Sequence, residues 1–388
     1  MTEHTLYEEV TRAFSVRFGS SPQIVVRAPG RVNLIGGHTD YNEGFVLPVA
    51  VDRAAWLAAS PAGDVWANIR ATNMGNDDVT FPVNHVPSSA GGWADYPKGI
   101  VWAFLERDLK PMGLNAVLAS DVPVGAGMSS SAAVELAFAY TWNTLSEFAL
   151  SLSDLALLSQ RAENQYVGVN CGIMDQMISA CGKAGHAMML DTRNLERGYF
   201  PMPDGVAIVV VDSLVRRSLA ASEYNVRRAQ CEEAVRVLQA YLPTITALRD
   251  VTVGDLERLG SHLSEIVLRR AQHVVHENDR VLQVAKALHA GDIETVGALM
   301  VQAHHSLRDD YEVSAPELDT VVDAAIEVEG CYGARLTGAG FGGCAIALVA
   351  EEAVSELEKH VSAVYTAQFD KRPAVYVTRP ADGVAAVG

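Results

Sequence analysis

Gly125-Ala126-Gly127-Met128-Ser129-Ser130-Ser131-Ala132-Ala133 is the stretch on which the fold turns. Behind it, Ala116 to Pro123 is apolar and closes on a proline, the pattern of a strand ending. Ahead of it, residues 132–148 are apolar on nearly every face, which predicts a buried helix. Strand, glycine-serine turn and helix N-terminus together make an anion cradle. Several N–H groups point outward with the positive end of the helix dipole behind them, and only small residues let backbone approach a phosphate. No Lys-Ser/Thr follows the glycines, so this is not the Walker loop. Two readings stay open on this stretch alone: a phosphate site, or a small-residue turn between strand and helix.

A chain of 388 residues is long enough to bury a full core and is expected to split into two domains. The formal charge of −17 disfavours nucleic acid and anionic membrane as partners, because such a surface repels both. A phosphate-bearing ligand would therefore rest on local dipoles, metal and a few arginines. The five cysteines, Cys171, Cys181, Cys231, Cys331 and Cys344, are scattered and form no Cys-x-x-Cys pair. That points to a reducing cytoplasm rather than a disulfide framework or structural zinc. The first ten residues are acidic and amphipathic, unlike a signal peptide, and no apolar run reaches membrane-spanning length.

Along the chain, a first helix is expected over 5–18. Residues 23–37 read as strand, Pro29-Gly30 turn, strand, and a second glycine turn at Gly36-Gly37. A polar stretch, His38 to Gly44, precedes another strand over 45–51, and residues 88–92 read as an exposed loop. Helices follow over 98–109 and 153–167, with strands around 185–191. A domain boundary fits near 200–206, giving domains 1–205 and 206–388, both mixing strands and helices in an α+β fold. The second half is rich in amphipathic helix, over 223–238, 263–288 and 293–308. Ser314-Ala315-Pro316-Glu317 reads as a capping box. A third glycine turn spans Thr337 to Gly343.

Few residues stand out for chemistry. Asp175 follows a Cys-Gly-Ile-Met stretch, and a carboxylate in so apolar a setting can serve as a general base if a cation keeps it ionised. Arg31, on a glycine turn, is the candidate cation; a plain buried Asp–Arg pair is the competing reading. Glu163, twelve residues before Asp175, is a candidate ligand for a divalent cation, or a solvent-facing helix glutamate. Asp40, with His38 and Tyr41, lies in a turn suited to a polyhydroxylated ligand, although turn aspartates often cap their own backbone. Tyr224 reads by default as a core aromatic, and Arg227 and Arg228 as a solvated basic face.

Taken together, the motifs decide more than the residues do singly. Gly30-Arg31-Val32-Asn33-Leu34-Ile35-Gly36-Gly37-His38-Thr39-Asp40-Tyr41-Asn42 resembles the opening signature of galactokinases. Pro123 to Ala133 is similar to the phosphate loop of their superfamily, shared with homoserine, mevalonate and phosphomevalonate kinases, and Leu336 to Cys344 resembles its third motif. Gly172-Ile173-Met174-Asp175-Gln176, Ser222 to Arg228 and Ser306 to Ser314 narrow the resemblance to the sugar branch. The match is collinear over about residues 24–350.

The resemblance implies a two-domain sugar-kinase fold, with a ribosomal protein S5 domain 2-like N-terminal domain and an α/β C-terminal domain around an active-site cleft. It implies that Asp175 takes a proton from the anomeric hydroxyl of galactose and that Arg31 stabilises it. Gly37, His38, Asp40, Gly172, Asp175 and Tyr224 would contact the sugar. Pro123, Gly125, Ala126, Gly127, Met128, Ser129, Ser130, Ser131 and Ala132 would hold ATP, with Mg²⁺ on Ser131, Ser130 and Glu163. The expected protein is a cytoplasmic monomer that takes only small molecules.

The chain departs from the family at Gly37, where galactokinases usually carry Glu, expected to accept a hydrogen bond from the C6 end of the sugar. Its loss opens an alternative substrate altered at C6, L-arabinose or galacturonate, unless water or Glu43 takes over. A sugar- and ATP-binding sensor without catalysis is the third possibility; an intact serine loop and Asp175 argue for the enzyme.

Overall fold

The computed structural model describes residues 3–73, 77–216 and 220–388, with the side chains of 3, 4 and 220–222 outside the description. Ser222, part of one quoted motif, is thus outside it as a side chain. The chain forms two sheets. The strands of the first are β1 (Ile24–Ile35), β2 (Phe45–Pro61), β3 (Trp66–Ala71), β4 (Asp77–Pro82), β5 (Leu114–Ser120), β6 (His186–Asp191) and β7 (Arg197–Pro201). Those of the second are β8 (Val206–Asp212), β9 (Cys331–Thr337), β10 (Cys344–Ala350) and β11 (Ala374–Thr378). The chain end returns to the first sheet as β12 (Ala385–Ala386). The first sheet runs β12-β1-β2-β5-β3-β4, with β6 on β2 and β7 on β6; the second runs β11-β8-β10-β9. Apart from the parallel β3–β5 pair, neighbours are antiparallel.

Both faces of β1, β2 and β5 are buried, so their residues are apolar rather than alternating. On one face, Val25, Trp56, Val117 and Ala119 pack on Leu6, Val10 and Phe14 of the helix Glu3–Phe18. On the other, Val26, Leu57 and Leu118 share a core with Ala133, Leu136 and Ala137 of the helix Ser130–Leu145. That helix holds the expected place behind the glycine-serine turn. The second sheet packs one face on the helices Pro316–Ile326 and Val354–Phe369 and gives Ile208, Val210, Ile346 and Leu348 to the larger core.

Three expectations are corrected. Pro29-Gly30 is no turn: β1 runs straight through, with a register shift between Pro29 and Arg31. A bulge absorbs the missing proline N–H. Gly30 is needed because a Cβ there would lie 2.7 Å from the Met128 carbonyl oxygen. The capping box at 314–317 does not form, because the helix starts at Pro316 with Ala315 as its cap, and the Ser314 hydroxyl donates to Asp319 instead. The helix expected over 153–167 is α-helical only over Leu152–Arg161. It continues as a π-helical turn, Ala162–Val167, which carries Glu163; such turns are frequent at functional sites.

Candidate active site

The three glycine turns meet. Arg31 donates its backbone N–H to the Met128 carbonyl at 3.0 Å, which fastens β1 to the glycine-serine turn. Gly127 (φ 74) and Gly338 (φ 82) then pack backbone to backbone: a Cβ on Gly338 would sit 3.2 Å from the Gly127 Cα. Only glycine permits both the left-handed conformation and this approach. Ser129, the residue before the helix Ser130–Leu145, is also left-handed at φ 55. A non-glycine residue holds that conformation only where its surroundings over-determine it.

Those surroundings centre on Asp175, in the first turn of the helix Met174–Cys181. Arg31 grips its carboxylate in a fork, Nε to Oδ1 at 2.7 Å and Nη2 to Oδ2 at 2.6 Å. Its third donor, Nη1, reaches the Gly127 carbonyl at 2.5 Å. The Ser129 hydroxyl donates to Oδ2 as well. A carboxylate offers about four acceptor sites. Three donors are in place here and two of them fall on Oδ2, so Oδ1 keeps a lone pair free. Arg31 is 5% exposed whereas the Asp175 side chain is 24% exposed, so the carboxylate opens to solvent and its clamp does not.

That opening is a cavity of about 270 Å³, lined by Arg31, Gly37, His38, Asp40, Glu163, Gly172, Asp175 and Tyr224 among others. Every residue assigned to the sugar thus borders one space. A Cβ on Gly172 would run into Asp40 Oδ2, so that position must be glycine for Asp40 to keep its orientation. Burial raises Asp40 to about 6, and the nearby Asp175 charge adds to the rise. Burial lowers His38 to about 3, helped by His273, Arg335 and Arg227, so its imidazole is neutral. Tyr224 is packed against His38 and Tyr41, at ring separations of 5.5 and 5.1 Å, and is no detached core aromatic.

The acidic side of the cavity holds hard oxygen donors. Burial raises the Glu163 carboxyl, a rise that the Cys171, Ser131 and Gln176 side chains near it offset in part. Gln176 Nε2 donates to Glu163 at 2.6 Å and to the fully buried Glu135 at 3.2 Å. Among the described residues no Lys or Arg pairs with either glutamate. Glu163, which lines this cavity, and Ser130 and Ser131, which line the neighbouring cleft, offer hard oxygen donors of the kind that Mg²⁺ takes, whereas Glu135 borders neither space. No cluster of three or more His, Cys, Asp or Glu with metal-holding geometry occurs among the described residues, so any such site is sparse in protein ligands.

A second cleft, about 510 Å³, lies across the glycine-serine turn and is lined by Val124, Ser130, Ser131, Val134, Asn73, Trp93 and Tyr96 among others. Pro123, Gly125, Ala126, Gly127, Met128 and Ala132 border neither space with a side chain: Ala126, Met128 and Ala132 are buried in the core. Their contribution is backbone shape. Ser129 belongs to Asp175 rather than to the cleft. The exposed loop at 88–92 is confirmed, and it is ordered by Asp95, which accepts from Ser89, Ala90 and Gly91.

Sequence reading missed several residues here. Trp93 and Asn73 carry no motif. Arg216, held by Asp212 at 2.8 and 2.7 Å, lies over the turn: a Cβ on Gly125 would be 2.9 Å from its Nε. An Arg four residues after a buried strand-end Asp was the available signal.

Gly37 is tied to a buried ionic network. Glu277, fully buried, accepts the N–H groups of Gly36 and Gly37 at 2.9 and 3.0 Å and pairs with Arg280 at 2.7 Å and Arg335 at 3.4 Å. A Cβ on Gly37 would lie 2.7 Å from Arg335 Nη2, a buried atom without a hydrogen-bond partner. Glu43 does not substitute for the family carboxylate, since it pairs with Arg193 at 2.6 Å and does not line the cavity.

Comparison with known proteins agrees with this arrangement. The galactokinase galactose-binding signature matches residues 12–61, and the N-terminal and C-terminal domain models of the GHMP kinases match 95–183 and 284–367. The chain is 47% identical over 379 residues to the galactokinase of Roseiflexus sp. (strain RS-1), covering 98% of this chain and 97% of the other. It is 48% identical over 376 residues to that of Chloroflexus aggregans, covering 97% and 96%. The crystal structure of Lactococcus lactis galactokinase complexed with galactose superposes with a TM-score of 0.95 at 33% identity, covering 98% of this chain and 100% of that one. A two-domain fold, three converging glycine turns and a full-length likeness lead to one statement: the chain belongs to the galactokinase family of the GHMP kinases.

Proposed function

We propose that the protein transfers the γ-phosphoryl group of ATP to the anomeric C1 hydroxyl of galactose, giving galactose 1-phosphate and ADP. The observation that carries this is the free lone pair of Asp175 Oδ1, on a carboxyl gripped by the Arg31 fork and facing a cavity lined by the sugar signature. Oδ1 accepts the hydroxyl proton as the C1 oxygen attacks; the new O–P bond forms while the bond from the γ-phosphorus to the β–γ bridging oxygen breaks. Positioning and charge neutralisation supply most of the rate in such transfers. The 125–132 backbone cradles the phosphates, Arg216 adds positive charge over Gly125, and the Trp93 cleft takes the nucleoside. Ser131, with Ser130 beside it, and Glu163 would hold Mg²⁺, which neutralises charge building on the phosphate oxygens. The assay that tests this is ATP-dependent formation of the phosphate ester with and without Mg²⁺.

Asp40, Gly172, His38 and Tyr224 shape the sugar pocket. Ionised Asp40 accepts sugar hydroxyls, and with its carboxyl at about 6 it is ionised above that pH and protonated below. The KM for galactose is therefore expected to be flat above about pH 6 and to rise by up to about tenfold per unit below it. Asp40→Asn should be weak at every pH and lack this dependence; a flat wild-type KM down to about pH 5 would remove Asp40 from the pocket. One observation favours a second reading, a galactose-like sugar altered at C6. Next to Gly37 the unpartnered group is a donor, Arg335 Nη2, where the family has an acceptor. Galactose, L-arabinose and galacturonate compared side by side separate the two. No helix among the described residues is long and apolar enough to cross a membrane, and the net charge disfavours nucleic acid.

A further inference from the structure

The motif at 306–314 has no part in the chemistry above, yet it touches two of the three glycine turns. Phe341 of the third turn donates its N–H to the Val313 carbonyl at 2.7 Å. Tyr311, fully buried, hydrogen-bonds through its hydroxyl to the Tyr41 hydroxyl at 2.7 Å and contacts Cys231 Sγ at 3.1 Å. Tyr41 in turn reaches His38 Nδ1 at 2.9 Å, and His38 Nε2 reaches the Ala339 carbonyl at 3.2 Å.

Hydrogen-bond accounting fixes the direction of every link. The Ala339 carbonyl can only accept, so Nε2 carries the proton. The imidazole is neutral, so Nδ1 is an acceptor and Tyr41 donates to it. The Tyr41 hydroxyl has then spent its proton, so Tyr311 donates to Tyr41 and the Cys231 thiol donates to Tyr311. Both ring nitrogens of His38 are thereby committed to protein, and what His38 offers the sugar is its ring surface. His38 is also left-handed, at φ 63, a conformation that needs external support.

We propose that Tyr311 is a positioning residue: the chain Cys231–Tyr311–Tyr41–His38 locks the Nε2–H tautomer of His38, which pins the sugar loop to the third glycine turn at Ala339. Tyr311 touches no substrate and acts only through Tyr41. Its kinetic consequences rest on the galactose reading; its spectroscopic ones do not.

The test uses full-length Tyr41→Phe, Tyr311→Phe and the double variant. Each keeps its aromatic packing and loses one hydroxyl. Tyr311→Phe is expected to raise the KM for galactose about fivefold, the equivalent of one neutral hydrogen bond, with kcat and the KM for ATP changed less than about twofold. Tyr41→Phe should have the larger effect, and the double variant should match Tyr41→Phe alone in the KM for galactose, because without the Tyr41 hydroxyl Tyr311 no longer reaches His38. Additive effects, or a loss in kcat alone, would overturn the proposal. Nitrogen-15 NMR of the histidines, without sugar, should show His38 as the Nε2–H tautomer with a hydrogen-bonded Nδ1, moving toward the unbonded position in Tyr41→Phe. An Nδ1–H tautomer or an imidazolium in the wild type would overturn it, as would a Tyr311→Phe protein that only melts earlier. If galactose itself is not phosphorylated, the NMR arm still decides whether the chain is wired this way.

Discussion

Asp175→Asn is expected to stay folded and to lose about 10²- to 10⁴-fold in kcat, the range that one positioned general base supplies. The loss follows from what the amide cannot do. It carries no charge for the Arg31 fork, it presents an NH₂ where Arg31 or Ser129 already donates, and it offers no basic oxygen to take the anomeric proton. The fold survives because Asp175 is partly open to solvent and Arg31 keeps its bond to the Gly127 carbonyl. Galactose and ATP should still bind, so KM values move far less than kcat. Measured kcat within about tenfold of wild type would reduce Asp175 to a structural ion-pair partner.

Glu277→Ala is expected to cost about 3–5 kcal/mol of folding stability, among the largest effects of any single change outside the reacting groups. Glu277 is wholly buried and counters two guanidinium groups, one of them, Arg335, also wholly buried. Its removal strands Arg335 and leaves the N–H groups of Gly36 and Gly37 without an acceptor, each a further penalty. Urea unfolding monitored by tryptophan fluorescence reads the loss. A double change, Glu277→Leu with Arg335→Met, should recover part of it, since a removed pair costs less than a broken one, but the two backbone N–H groups keep recovery incomplete. Burial alone would raise the Glu277 carboxyl; Arg280 and Arg335 outweigh it and hold it at about 2. A depressed carboxyl stabilises the fold above its ordinary value near 4.5 and stops doing so as the pH falls through about 2. The acid limb of wild-type stability should therefore be shallower in the alanine variant over that window. A loss below about 1 kcal/mol would mean that water reaches the site and the network is ornamental.

How much of this was legible in the sequence depends on the range of the interaction. The glycine-serine turn and its helix are local and form as residues 116–148 predict, with the strand ending at Ser120, short of Pro123, and the helix running Ser130–Leu145 rather than 132–148. The pairing of Asp175 with Arg31 was proposed from an apolar flank and a glycine neighbour, and the structure joins them across 144 positions. What failed did so for physical reasons. Pro29-Gly30 has turn chemistry, but the bulge it makes is selected by Met128 from a different segment. Ser314 and Glu317 have capping spacing, but Pro316 fits the first helical position and shifts the start past Ser314. Arg335, Glu277 and Tyr311 were invisible as site residues because their partners lie on strands and helices far away in sequence, where no periodicity announces a buried charge or hydroxyl. Gly37 was read as a gap; the structure shows a backbone already held by Glu277 and a flank filled by Arg335.

The most direct measurement of the central claim is phosphorus-31 NMR of the products formed from galactose, ATP and Mg²⁺ by the wild-type protein and by Asp175→Asn. The wild type should yield a single new sugar phosphate, an anomeric ester at C1, in equal amount to ADP, and the variant almost none. An ester at another carbon, ADP without any ester, or an anomeric ester formed equally well by Asp175→Asn would contradict the account.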